Sequence, residues 1–220
     1  MSSEILIDLC NLRFNYHNRP EVLKGLNLKV TSDHRLGLVG ANGTGKTTVL
    51  SIIMGLLKPT SGTVEIFGKL RKTEADFREV RPKLGFVFQD ANDQLFSPTV
   101  ADDIAFGPLN LGASRKQADD IVKEVLDSLG LSGFGPRVTY GLSGGERKLV
   151  ALGTALALKP RLLILDEPTT FLDEKSVARL EAIINNSTLP VLIVSHDHDF
   201  LDRVTTKKVR LLDGIIEGQQ

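Results

Sequence analysis

The sequence predicts an α/β fold with a mainly parallel sheet, an N-terminal antiparallel β part and an inserted helical lobe. Short runs of β-branched and aliphatic residues alternate with longer segments of helical period, which is typical of a parallel sheet flanked by helices. The pattern becomes helical after residue 88, and strand-like runs return after residue 160. We therefore predict a single domain over residues 1–220, in which residues 1–88 and 160–220 form the α/β core and residues 89–159 form the lobe.

The core elements are predicted from apolar runs and from the turn residues that separate them. Residues 5–30 predict short strands with turns at 18–20 and 24–25, and residues 35–39 predict a buried strand. The further core elements are, in chain order, a helix at 46–57, a hairpin-like stretch at 63–67, a polar segment at 71–83, strands at 84–88 and 162–165, a helix at 174–184, a strand at 191–194 and a hairpin at 209–217. The last hairpin is expected to turn at Asp213 and Gly214, because Asp-Gly suits a two-residue turn.

The lobe contains one strongly amphipathic segment, residues 114–130, whose apolar residues recur at helical spacing. Ser114 followed by Gln117 resembles a capping box at its start, and Gly130 suits its end. A second helix is predicted to begin after Ser143 and to continue to about residue 158.

Composition excludes several classes of function. The 27 basic and 27 acidic side chains cancel, which disfavours a basic nucleic-acid-binding protein, because phosphate contacts need an excess of Lys and Arg. The single cysteine, Cys10, excludes a disulfide framework and is expected to be a small buried hydrophobe. No signal segment follows Met1, and the longest apolar run, 149–158, is too short to span a membrane. We therefore expect a soluble chain with no nucleic-acid partner.

The strongest motif is a glycine-rich loop at residues 40–47, GANGTGKT, which fits the P-loop pattern between a strand and a helix. Such a loop lets backbone N–H groups curve around phosphates, while Lys46 reaches the terminal phosphates and Thr47 can bind Mg²⁺. The alternative is a chance glycine-rich turn, which the flanking strand and helix disfavour.

A second constellation follows the strand at 162–165, where two adjacent carboxylates, Asp166 and Glu167, end an apolar run. Ligands bind at the carboxyl ends of strands in such sheets. Asp166 is a candidate for holding Mg²⁺, and Glu167 for general base toward a water that attacks the γ-phosphate. An acidic pair after a strand is commonplace by itself, and it gains weight from the P-loop.

A third constellation, LSGGE at residues 142–146, combines a good N-cap, Ser143, with two glycines at a helix start. It predicts a second anion site. The helix that follows is ~21 Å long and leads back to the acidic strand, so its far end lies well away from the P-loop of the same chain. A second subunit that brings a phosphate would explain this anion site.

Together these motifs resemble the nucleotide-binding subunits of ABC transporters, over residues 16–196 and in the family's order. The P-loop looks like the Walker A motif, Asp166 and Glu167 like Walker B, and residues 142–145 like the signature motif. Gln89 matches the Q-loop glutamine and His196 the switch histidine. Two further matches are Leu172-Asp173 at the end of the D-loop and Tyr16 as the aromatic residue that stacks on adenine.

The resemblance implies an ATPase that uses ATP and Mg²⁺ and closes as a homodimer, or as a heterodimer with a similar subunit. The implied catalytic residues are Glu167, His196, Lys46 and Gln89. The implied nucleotide-binding residues are Tyr16, Gly40, Asn42, Gly43, Thr44, Gly45, Lys46, Thr47 and Thr48. The residues implied to face the partner's nucleotide are Ser143, Gly144, Gly145 and Glu146, and the implied Mg²⁺ ligands are Thr47, Gln89 and Asp166.

A finer resemblance lies in residues 85–108, which look like the energy-coupling-factor branch of importers for cobalt and vitamins. It implies a transmembrane coupling protein that docks near residues 89–108, a substrate-binding membrane component, and a peripheral position on the cytoplasmic face of the cell membrane. Cobalt, nickel, biotin and other vitamins stay open as cargo.

The sequence departs from the family's usual residues at three places. Glu146 stands where glutamine is usual, Leu149 where arginine is common, and Thr170-Phe171 replace small D-loop residues. A carboxylate at Glu146 is expected to repel an incoming nucleotide, with Arg147 as a compensating charge.

Two other functions stay open. One is a soluble ABC ATPase that acts on nucleic acid or ribosomes, and the other is a nucleotide-binding regulator that does not hydrolyse ATP.

Overall fold

The computed structural model describes residues 3–217. Met1 and Ser2, where the sequence predicts no signal segment to begin, lie outside the described residues. The chain forms two compact units, the first of Met1–Pro82 with Leu189–Gln220 and the second of Lys83–Thr188. The lobe boundaries at 89–159 stay a prediction. Over residues 3–217, no helix combines the length and apolar character needed to cross a bilayer.

Strands and helices alternate along most of the chain, as the sequence predicts. The strands are β1 (Ile5–Asn15), β2 (Glu21–Thr31), β3 (Arg35–Val39), β4 (Ser61–Ile66), β5 (Lys69–Leu70), β6 (Leu84–Val87), β7 (Leu162–Asp166), β8 (Val191–Ser195), β9 (Lys207–Leu212) and β10 (Ile215–Glu217). The helices are α1 (Lys46–Ile53), α2 (Glu74–Val80), α3 (Val100–Asn110), α4 (Arg115–Ser128), α5 (Gly144–Leu156), α6 (Glu174–Asn186) and α7 (His198–Val204).

The antiparallel part of the first unit has the strand order β2-β1-β4-β5. The turn predicted at 24–25 is wrong, because β2 continues through both residues. Leu12 of β1 pairs with Leu26, and Arg13 pairs with Lys24. Gly25 is therefore the extra residue of a β-bulge, and its φ of 95° is one that glycine adopts without strain.

The prediction that Cys10 is buried is wrong, because its side chain is exposed on β1, next to a further irregularity of this strand. Leu9 pairs with Leu28 and Leu12 pairs with Leu26, so β1 carries one more residue than β2 between these pairs. The insertion breaks the alternation of inward and outward side chains. Cys10 faces outward because it follows the buried Leu9 in the ordinary alternation, and the inserted residue brings Leu12 back to the core.

The parallel strands of the first unit place β3 between β8 and β9. Val39, the last residue of β3, pairs with Ser195, the last residue of β8. The predicted C-terminal hairpin is confirmed, since β9 and β10 pair around Asp213 and Gly214, which both have positive φ. The chain therefore leaves β3 and β8 at one common edge.

Two predictions for the first unit need correction, one for the end of a helix and one for a polar segment that contains a helix. Helix α1 ends at Ile53 rather than near residue 57, because the chain turns at Gly55, where φ is 69°. The polar segment at 71–83 contains α2, which has seven residues. Its start is marked by a capping box between Thr73 and Asp76 rather than by an apolar period, so a search for periodicity misses it.

This cap predicts a pH dependence. Backbone hydrogen bonds from Lys72 and Thr73 hold the pKa of Asp76 at about 2, below its usual 3.8. A depressed carboxyl pKa stabilises the fold above the unfolded-state pKa, and the effect is lost as the pH falls through the folded-state pKa. We expect Asp76→Asn to lower the free energy of unfolding, measured with denaturant, by its full amount at about pH 6 and by progressively less as the pH falls from about 4 toward 2. A difference that stays constant over this range would contradict the assignment.

The second unit contains a parallel pair, β6 and β7, in which Val87 pairs with Leu165, together with α3 to α6. The predicted capping box of α4 is confirmed, because Ser114 and Gln117 bond reciprocally. Gly130 lies just beyond the last turn with a φ of 63°, as the predicted end requires. Helix α5 begins after Ser143, as predicted, and ends at Leu156.

Candidate nucleotide-binding and signature sites

The P-loop of the first unit connects β3 to α1 and encloses the head of Lys46. The Lys46 side chain is buried, and its Nζ donates to the carbonyl oxygens of Gly40 at 2.7 Å and of Ala41 at 3.2 Å. Thr44 Oγ1 also donates to the Ala41 carbonyl, at 2.9 Å. The loop is thus tightly folded around an ammonium group, which suits it to a polyphosphate.

Gly45 is required where this loop enters α1. Its φ of 104° lies in the left-handed region, and a Cβ there would lie 2.9 Å from Val22 Cγ1. Gly45 is the N-cap of α1 and provides no side-chain cap. The first N–H groups of a helix have no intrahelical acceptor, and they carry the positive end of the helix dipole. The backbone at the start of α1 therefore favours an anion.

Tyr16 lies near α1 and keeps much of its ring accessible. Its hydroxyl is 3.1 Å from Thr48 Oγ1, and its ring makes an edge contact with Phe14 at a centroid distance of 4.9 Å. Thr48 is buried, whereas Tyr16 is 39% exposed. The ring is held at its edges and presents a surface that a planar base could stack on.

His196 follows β8 directly and is exposed. Because Val39 pairs with Ser195, Gly40 and His196 leave adjacent parallel strands at the same level. The first unit thus brings the P-loop and the predicted switch histidine to one edge, where ligands bind in sheets of this kind.

The second unit brings two other predicted residues to one edge. Gln89 and Glu167 each stand two residues beyond the paired positions Val87 and Leu165 of β6 and β7. Asp166 and Glu167 are both buried, and Gln89 is exposed. Glu167 has a φ of 42°, in a region that costs a non-glycine residue about 1–3 kcal/mol. Such strain is typical of functional sites.

The predicted D-loop lies against the signature motif within the second unit. The Phe171 carbonyl oxygen is 3.5 Å from the position that a Cβ on Gly144 would take. Phe171 itself is 87% exposed and has a φ of 64°. Asp173 then caps α6 by accepting from the Ser176 N–H at 2.8 Å, and bonds from Ser176 lower the pKa of this carboxyl group. The cap fixes where the D-loop ends.

Glu146 of the signature motif has a structural role. Its Oε2 accepts from the Ser143 N–H at 2.8 Å, and the Glu146 N–H donates to Ser143 Oγ at 3.2 Å. The backbone bond from Ser143 lowers the pKa of Glu146, so the group is a carboxylate near neutral pH. Arg137 lies 3.4 Å from Glu146 Oε1 and is the cation that the structure places against the charge predicted to repel ATP.

Two polar residues of the second unit were not among the predicted site residues. Lys148 on α5 is 3% exposed and bonds to the Q-loop backbone, and burial lowers the pKa of its ammonium group. Gln94 bonds to α5 as well, at Ala151 and Thr154. The only sequence signal is a lysine beside an apolar helical run that includes Leu149. Leu149, which stands where arginine is common in the family, is buried and packs in the core.

The family described as ABC transporter matches residues 23–170, about two thirds of the sequence. The chain belongs to the ABC transporter family. Relatives support this over nearly the full sequence. A protein of Nitratidesulfovibrio vulgaris classed as an ABC transporter ATP-binding protein is 48% identical over 96% of this chain and 78% of its own length. The energy-coupling factor transporter ATP-binding protein EcfA of Methanothermobacter thermautotrophicus is 38% identical over 97% of this chain and 70% of its own.

Solved structures of ABC proteins agree in fold. CbiO1 of Clostridium perfringens, part of the ABC transporter complex CbiONQ, superposes with a TM-score of 0.90 at 28% identity, over 98% of this chain and 88% of that one. The ATP-binding cassette MJ0796, a dimer in a post-hydrolysis state bound to ADP and Pi, superposes with a TM-score of 0.88 at 26% identity, over 98% of both chains. The predicted fold class and ATPase activity are confirmed: the chain is an ATP-binding ABC ATPase.

Proposed function

We propose that this ABC ATPase powers an importer of the energy-coupling-factor type, as a peripheral subunit on the cytoplasmic face of the cell membrane. It would act through a separate transmembrane coupling protein and a membrane component that binds the cargo, a metal such as cobalt or nickel or else a vitamin. The observation that carries the proposal is an exposed aromatic groove in the second unit, within the stretch that resembles this branch. The EcfA and CbiO1 relatives support it.

The proposed roles of the site residues follow from their chemistry. In the first unit, the loop amides and Lys46 bind phosphates, Tyr16 stacks on adenine, and His196 orients the attacking water. In the second unit, Glu167 accepts a proton from water as general base. Each of these side chains lies at the end of a helix or strand or within two residues of one, which limits its freedom to move.

Mg²⁺ is the proposed cofactor besides ATP. Its proposed ligands, Thr47, Gln89 and Asp166, all offer oxygen, which Mg²⁺ prefers, and the Asp166 carboxylate is buried, so the residues fit the ion. When bound, Mg²⁺ neutralises charge that develops on the transferred phosphoryl group. The chain's own part is to present these oxygens at the ends of its strands and at the start of α1.

A dimer is the proposed working form, as in the MJ0796 structure. Ser143, Gly144, Gly145 and Glu146 would face the nucleotide held by the second subunit. One chain carries every half-site residue, so a homodimer suffices, and a heterodimer with a similar ATPase subunit is the alternative. The Glu146 carboxylate accepts from the Ser143 N–H and lies against Arg137. Part of its negative charge is therefore offset within the same chain.

The aromatic groove lies between α3 and the start of α4 and is the proposed docking surface for the coupling protein. It encloses about 300 Å³ and is lined mainly by Pro98, Ala101, Ala105, Phe106 and Leu109. The rings of Phe96 and Phe106 meet edge to face at 4.8 Å and are 67% and 48% exposed. The buried carboxylate of Asp103 accepts from the Phe96 and Ser97 N–H groups and so fixes the rim. An apolar helix end fits this surface.

We expect Phe106→Ala to reduce co-purification of an integral membrane partner at least tenfold, on the order of a hot-spot residue, and to leave basal ATP turnover unchanged. The measurement is the ratio of membrane protein to ATPase after affinity purification from detergent extract. Leu56→Ala, at an exposed apolar residue of the first unit, is the control. Co-purification of nucleic acid or ribosomes with the wild-type chain, without a membrane protein, would contradict the proposed function.

A further inference from the structure

The signature helix α5 and the Q-loop, here residues 88–94, are joined by buried polar contacts within the second unit. Lys148 Nζ donates to the carbonyl oxygens of Gln89 at 2.6 Å and of Phe88 at 3.1 Å. An ammonium group with 3% exposure is costly unless its hydrogen bonds are made. The lysine therefore holds the start of the Q-loop, and the two carbonyl groups hold the lysine.

Gln94 makes the second connection, at the other end of the Q-loop. Its amide nitrogen donates to the Ala151 carbonyl oxygen at 2.8 Å and to Thr154 Oγ1 at 2.7 Å. Its amide oxygen accepts from the Phe88 N–H at 3.1 Å. Lys148, Ala151 and Thr154 are spaced by three residues and share one face of α5. Both ends of the Q-loop are thus attached to the same face of one helix.

We propose that Lys148 and Gln94, together called the clamp, are positioning residues that make the Q-loop follow the signature helix. The inference rests on the proposed function, in which residues 143–145 contact the partner's ATP and Gln89 binds Mg²⁺. A shift of α5 when the dimer closes is then passed to Gln89 through hydrogen bonds rather than through a flexible linker. Neither clamp residue is among the proposed ligands of the nucleotide or of Mg²⁺. The hydrogen bond from Lys148 to the Gln89 carbonyl oxygen is the clamp's direct route to the site, and the electrostatic attraction between Lys148 and Asp166 is a second route that the double-variant test below separates from the first.

The first test measures the attachment itself, in the full chain without nucleotide. We expect Lys148→Met to speed amide hydrogen exchange in residues 88–94 about tenfold, because the carbonyl groups of Phe88 and Gln89 lose a charged donor. Exchange in α4 should not change. Lys123→Met, at an exposed position of α4, is the matched control. Unchanged exchange in residues 88–94 would overturn the proposal.

The second test asks whether the clamp acts through Gln89. We expect Lys148→Met to lower ATP turnover about tenfold in the wild-type background and less than about twofold in the Gln89→Ala background. Equal losses in both backgrounds would show that Lys148 acts independently of Gln89 and would overturn the proposal. A purely structural role would give such equal losses, together with a lower thermal midpoint.

A milder variant keeps the test valid where Lys148→Met folds poorly. Thr154→Val removes one acceptor of Gln94 without changing side-chain volume greatly, and it should give smaller changes of the same kind. Failure of the proposed function is recognised separately. Co-purification of nucleic acid or ribosomes in place of a membrane protein would contradict the proposed function, while the exchange experiment would still decide whether the clamp exists.

Discussion

Replacing Glu167 by glutamine is expected to lower ATP turnover by about 10²–10⁴-fold, the contribution typical of a general base. Glutamine has nearly the same shape and can occupy the buried position at the end of β7, but it cannot accept a proton from water. ATP should still bind, and the dimer should persist because hydrolysis no longer releases it. Size-exclusion chromatography with ATP and Mg²⁺, together with phosphate release, measures both effects.

The matched control for this experiment is Glu174→Gln, at the exposed start of α6. It removes one carboxylate of the same unit and should leave turnover and dimer lifetime close to those of the wild type. Turnover of Glu167→Gln within about threefold of the wild type would refute the assigned role, since a difference of that size is below 1 kcal/mol in the barrier.

Gly145→Ala is expected to disrupt the signature motif through a steric clash. A Cβ on Gly145 would lie 2.0 Å from Ser176 Oγ and 2.8 Å from Ser176 Cβ. Overpacking of this kind costs about 1–3 kcal/mol, and it would push the start of α5 away from α6. We therefore expect a lower free energy of unfolding and a loss of ATP-dependent dimer, measured by denaturant titration and by sizing in the Glu167→Gln background.

Removing the opposing side chain should reverse this effect. In Gly145→Ala/Ser176→Gly both clashing atoms are absent, so dimer formation should recover, although glycine within α6 costs about 1 kcal/mol of stability. Gly141→Ala, four residues earlier, is the control, because a Cβ there meets nothing within 4 Å. If the double variant behaves like Gly145→Ala, the contact with Ser176 is not the cause.

Local signals explain what the sequence predicted well. The P-loop between β3 and α1, the capping box that begins α4, the N-cap Ser143 of α5 and the Asp213-Gly214 hairpin each depend on a few neighbouring residues. The chemistry of phosphate binding and helix capping fixes their spacing, so it can be read without the fold.

Features that depend on distant residues escaped prediction. The position of Cys10 on the outer face of β1 depends on how β1 packs on the core, which the local sequence does not fix. Helix α2 is too short to show a period. Lys148 reaches the Q-loop, and Gln94 reaches α5, only because α5 packs on β6, the strand that precedes the Q-loop. No local spacing in the sequence predicts contacts between residues about sixty positions apart. The sequence predicts Arg147, the next residue, as the cation that offsets Glu146, whereas the structure places Arg137 beside it.

The left-handed backbone at Glu167 has a consequence for how this protein can change over time. A glycine at position 167 would adopt the φ of 42° without backbone strain, yet it would remove the proposed base. Selection for robustness and selection for turnover therefore pull in opposite directions at this one codon. A lineage that no longer needs hydrolysis would be expected to lose the carboxylate here first.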